Sequence, residues 1–94
     1  MSAGKRLTRV LEASAQRAGC AVRIAAASER AWASATFTGT HHLLIIKAAP
    51  SSALAAWLGS LPHTQFALPG HVVADLTVRG VPDGAEVSAL TLEA

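Results

Sequence analysis

Ninety-four residues suffice for one small domain, and at 51% hydrophobic, 15% charged and mean hydropathy +0.37 this chain carries more apolar surface than such a domain readily encloses. The excess has two outlets, a tight alanine-lined core or a face buried against a partner. A net charge of +2, aromatics at 4% and no tyrosine argue against a dedicated nucleic-acid surface, and the single cysteine, Cys20, excludes an internal disulfide.

No apolar run approaches the roughly 18 residues that a membrane helix needs. The basic start, Met1 to Arg6, is followed by no long apolar stretch of the kind a secretory signal carries. The expectation is a single cytoplasmic domain over residues 1–94, without membrane contact.

Residues 5–18 have helical spacing, with Leu7, Val10, Leu11, Ala15 and Ala18 recurring on one side. Gly19 is placed as the stop. Lys5, Arg6 and Arg9 put positive charge in the early turns, where the helix dipole favours anions, so fraying is expected there. Cys20 to Ser28 reads as a strand with Val22, Ile24 and Ala26 on one face, ended by a turn at Ser28-Glu29-Arg30.

Trp32 to Lys47 reads as a β-hairpin. Gly39-Thr40 suits a two-residue type II′ turn, which needs positive φ at its first central position. That register opposes Trp32 to Lys47, Ser34 to Ile45 and Thr36 to Leu43 on one face. On the other it opposes Phe37 to His42, Ala35 to Leu44 and Ala33 to Ile46. The second face is the core candidate, with His42 packed beside Phe37. The first carries Trp32, Leu43 and Ile45, so it is not plainly a solvated face.

Pro50-Ser51-Ser52 opens a short helix to about Gly59, with serine as N-cap and Leu54, Trp57, Leu58 and Leu61 as its stripe. Residues 62–70 connect onward, anchored by Phe66 and Leu68. A last hairpin alternates from Val72 to Arg79, turns within Gly80-Val81-Pro82-Asp83-Gly84, and returns from Ala85 to Glu93 with Leu90 and Leu92 directed inward. The fold class is therefore α+β. The expectation is a two-layer arrangement with a mainly antiparallel five-stranded sheet and two helices, in the order α-β-β-β-α-β-β, one sheet face left partly open.

Three functional readings follow. The first is a non-catalytic interaction module, a homodimer or a binder of another protein, using Trp32, Leu43 and Ile45 on the open face. The second is a small-ligand binder or enzyme using a polar sheet face. In it His71, Asp75 and Arg79 share one side of the last hairpin, His71 approaches Glu93, and His41 is a further member. Its plainer counterpart is a solvated face with cross-strand charge pairs. The third is a weak nucleic-acid accessory protein using Lys5, Arg6 and Arg9.

No catalytic residue is assigned. No metal is expected either, because adjacent strand residues such as His41 and His42 point to opposite faces and no ligand pair has metal spacing. No cofactor is expected, since the glycines form neither a Walker loop nor a dinucleotide fingerprint. Cys20, just after a helix-ending glycine, reads as a buried structural thiol.

Overall fold

Ser2 begins the first helix, its side-chain oxygen accepting a hydrogen bond from the Lys5 backbone N–H at 3.3 Å. The computed structural model describes residues 2–93. Helix α1, Ala3–Arg17, buries Leu7, Leu11 and Ala15 as its spacing predicts. Gly19, at φ +84°, ends it. The Gly19 N–H returns to the Gln16 carbonyl and the Cys20 N–H to the Ala15 carbonyl, a Schellman closure that satisfies the last carbonyls.

Two runs that read as separate strands are one. Strand β1, Arg23–Ala33, passes straight through Ser28-Glu29-Arg30. It pairs antiparallel with β2, Thr38–Lys47, and Glu29 lies opposite His42 and Trp32 opposite Gly39. The expected register about Gly39-Thr40 is therefore incorrect. The chain turns at residues 34–37, where Ser34 donates its N–H to the Phe37 carbonyl at 2.8 Å and its hydroxyl accepts from the Phe37 N–H at 3.1 Å. A serine that bonds its own turn outcompetes a glycine signal five residues on.

Gly39 answers a different need. A β-carbon there would collide with the Thr91 backbone carbonyl on the neighbouring strand, so glycine permits close strand approach instead of a turn. Phe37, expected in the core beside His42, sits in the turn at 53% exposure.

Helix α2, Ser52–Ser60, starts at the expected cap, with Ser51 accepting from the Leu54 N–H at 3.0 Å. It buries Leu54 and Trp57 and runs into a single 3-10 turn, Leu61–His63. Leu68 is buried and Phe66 packs against the core, so the 62–70 connection is anchored as expected. Strands β3, His71–Val81, and β4, Gly84–Glu93, form the last hairpin, and only Pro82 and Asp83 lie between the paired Val81 and Gly84.

Among the described residues the fold is α+β with two α-helices and one antiparallel sheet of four strands, in the spatial order β1-β2-β4-β3. The expected five strands become four because β1 absorbs two of them. No helix among the described residues is long and apolar enough to cross a membrane.

Both helices cover the same sheet face. Leu7 and Leu11 of α1 and Leu54 and Trp57 of α2 share one core with Leu44, Ile46, Leu76, Val87 and Ala89 of the sheet. The Trp57 indole N–H donates to Ser14 Oγ at 3.0 Å, joining the two helices. Leu90 and Leu92, expected inward, belong to the other face. The inward positions of β4 are Ala85, Val87, Ala89 and Thr91.

Candidate functional site

The helix-free face can be read in rows across the sheet from β1 to β3. One row is Trp32, Gly39, Leu92 and Val72. The next is Arg30, His41, Leu90 and Asp75, followed by Ser28, Leu43, Ser88 and Thr77, then Ala26, Ile45, Glu86 and Arg79. Trp32, Leu43 and Ile45 thus share this face, as expected, and Leu90, Leu92 and Val72 extend the apolar patch. Leu43 is 41% exposed and Val72 54%, while Trp32, Ile45, Leu90 and Leu92 are half-buried by their neighbours. The Trp32 and His41 rings meet edge to face with centroids 6.4 Å apart. A depression of about 440 Å³ opens beside His41, bounded by Ser28, Arg30, Leu43 and Ser88.

The polar group His71, Asp75 and Arg79 does not share a face. Val73 pairs with Thr91 and Asp75 with Leu90, so Ala74 is an extra residue, a β-bulge. The bulge shifts the alternation by one. Asp75 and Arg79 lie on the helix-free face, while His71 lies on the helix side opposite Glu93, the neighbour the sequence predicts. Arg79 is committed to Glu86 by an ion pair. His41 shares a row with Asp75 but stands two strands away, with Leu90 between them. A second bulge, at Ala25, likewise puts Ile24 on the helix side and Ala26 on the opposite face.

Beneath the sheet lies a group that sequence reasoning missed. His42 is buried, with Nε2 hydrogen-bonded to Thr91 Oγ1 at 2.9 Å and Nδ1 4.0 Å from Glu29 Oε1. Hydroxyl, imidazole and carboxylate in series are the parts of a nucleophile, its base and an orienting acid. Here they do not form a catalytic centre, because Thr91 is 0% exposed and no substrate can reach its hydroxyl.

The arrangement is instead a satisfied buried polar network. Burial pushes the His42 imidazole below its ordinary pKa, opposed by the Glu29 charge and reinforced by His71 and His41. The neutral ring is therefore favoured near neutrality. A β-carbon at Gly4 would collide with the Glu29 carboxylate. That acid thus sits against the first turn of α1, which carries none of its own and where the dipole favours a negative charge. Thr91 shares its parity on β4 with the inward Val87 and Ala89, and that alternation is the sequence signal for it.

Of the basic residues in α1, Arg6 donates from its guanidinium to the Pro69 carbonyl at 2.5 Å and so holds the 62–70 connection. Lys5 and Arg9 are exposed. Cys20 is buried, its thiol donating to the Ala15 carbonyl at 3.4 Å, and burial pushes its pKa up, away from the reactive thiolate. A depression of about 710 Å³ lies between the 62–70 connection and the start of β3, with His63 and His71 on its wall. Among the described residues no three His, Cys, Asp or Glu side chains converge as a metal site.

No family model matches the chain, and no curated protein or solved structure is significantly similar to it.

Proposed function

We propose that this chain is a non-catalytic interaction module that self-associates through the helix-free face of its sheet. One observation carries the reading. A four-stranded sheet is covered by two helices on one side and by no element among the described residues on the other, and that side carries Trp32, Leu43, Ile45, Val72, Leu90 and Leu92. Antiparallel sheets that face water usually alternate apolar inward with polar outward, and β2 instead puts Leu43 and Ile45 outward between the inward Leu44 and Ile46.

The size is adequate. Ten residues by four strands is about 33 Å by 19 Å, on the order of 600 Å² in projection, before side-chain relief is added. Stable protein interfaces bury about 800 Å² per partner. A second copy is the natural occupant because a twofold contact needs only one such surface.

Sedimentation velocity across a concentration series tests this. A dimer at high micromolar concentration, dissociated by Leu43→Glu without loss of the folded circular dichroism spectrum, is the expected result. A wild-type monomer throughout the series refutes the reading.

A further inference from the structure

Of the charged residues on the helix-free face, Arg79 and Glu86 pair with each other and Lys47 pairs with Asp83 at 2.8 Å. Arg23, Arg30 and Asp75 join no ion pair among the described residues. The uncommitted cations are on β1, at one edge of the sheet. The uncommitted anion is on β3, at the other edge. Arg30 and Asp75 belong to the same row, so they lie at the same height along the strands, three strand spacings or about 14 Å apart.

We infer that two copies stack face to face about a twofold axis parallel to the strands, so that Arg30 of each copy meets Asp75 of the other. This rests on the self-association reading above and goes beyond it by fixing the geometry. Such an axis exchanges β1 with β3 and β2 with β4 and carries every row onto itself in reverse. The Arg30 row then supplies two ion pairs per dimer. The row above sets Trp32 over Val72 and Leu92 over Gly39. Sheets packed face to face keep their strands within about 30° and stand about 10 Å apart, within reach of an arginine and an aspartate projecting from the two edges.

A twofold axis perpendicular to the strands is the competing symmetry. Centred on the Leu43 row, it sets Asp75 over Arg79, which Glu86 already holds, leaves Arg30 over Ala26, and drives Leu90 onto Glu86. It leaves the Arg30 cation without a partner where the parallel axis satisfies it. Rim charges of this kind fix register and exclude wrong pairings more than they add affinity.

The test is a charge exchange read by sedimentation equilibrium. Arg30→Asp and Asp75→Arg singly place like charges opposite each other twice per dimer, and each is expected to weaken dimerisation by about tenfold or more. The double variant restores the pairs with reversed sense and is expected to return to within about threefold of wild type. Both positions are exposed on edge strands, so the monomer fold tolerates them.

Cross-linking gives a readout independent of affinity. In a Cys20→Ala background, Arg30→Cys chains mixed with Asp75→Cys chains should be joined by a short bis-maleimide, because the two facing thiols stand across a gap of about 10 Å that a direct disulfide does not span. Neither variant alone should cross-link, because like positions lie a further sheet width apart.

If neither single charge variant alters the dimer, or the double variant fails to restore it and no covalent dimer forms, the parallel-axis geometry is overturned. Leu43→Glu dissociating the dimer would still uphold the self-association reading in that case. A wild-type chain that stays monomeric overturns both.

Discussion

Leu43 and Leu44 are neighbours on β2 with the same side chain, yet one is 41% exposed and the other 1%. The two faces of this sheet are built from alternate residues of the same strands, and both are rich in aliphatic groups. Only the Leu44 face is covered by α1 and α2. The difference teaches that apolar composition does not by itself decide which face is enclosed. The helices choose, because their own apolar stripes need a surface, and the described residues form two of them, both on that face. The face left over keeps its apolar groups and its uncommitted charges.

The comparison can be broken most sharply at that leucine pair. Leu44→Ala should cost about 2–5 kcal/mol of folding stability, since it removes a fully buried side chain and leaves a cavity. Leu43→Ala should change the stability of the isolated monomer by less than about 0.5 kcal/mol. Urea denaturation at low micromolar concentration, where self-association is minimal, measures both. Equal losses at the two positions would show that the bare face is part of the folded core.

Glycines give the next largest contrast. Gly39→Val should destabilise by about 1–3 kcal/mol, because its side chain must displace the Thr91 carbonyl on the adjacent strand. Gly59→Ala should stabilise by about 0.5–1 kcal/mol, because the site in α2 opens onto empty space and alanine is the better helix former. Thermal melts of the two variants should shift in opposite directions.

The buried polar network supplies a pH test of the covered face. His42 takes up a proton in the folded state at lower pH than the ordinary value of 6.5 that describes it unfolded. Between those two values the unfolded chain holds the extra proton, so stability rises with pH through that window. The full contribution is present above pH 6.5 and is lost progressively as pH falls below it. Melting temperature should therefore drop from pH 7.5 to pH 5. Glu29→Gln removes the charge that supports His42 protonation, so the drop should steepen. His42→Gln should flatten it.

The smallest effect belongs to the ion pair at the β3–β4 turn. Lys47 holds the Asp83 carboxyl below its usual pKa by hydrogen bond and charge, but the acid is fully open to solvent. Asp83→Asn should leave the melting temperature nearly unchanged, and any difference should vanish in high salt.

Much of this molecule could be read locally. The Gly19 stop of α1, the Ser51 cap of α2, the Pro82-Asp83 turn and the parity of β2 follow from groups within a few residues of one another. Leu43 and Ile45 share a face by the parity of β2, whereas Trp32 reaches that face opposite Gly39 and not opposite Lys47, as a Gly39-Thr40 turn requires. The grouping of His71 with Asp75 failed because it assumed an unbroken alternation, and the extra residue at Ala74 shows itself only when β4 is laid alongside.

The sequence by itself determined two helices, the β-rich remainder and which residues of β2 oppose each other in parity, because capping bonds, turn bonds and alternation act over short distances. The tertiary structure alone decided that Gly39 serves a close strand approach, that Thr91 and not Leu90 is enclosed, and that Arg30 and Asp75 stand in one row at opposite edges. Each of those depends on which strand lies next to which, and strand order is set by packing between segments that are remote in the chain.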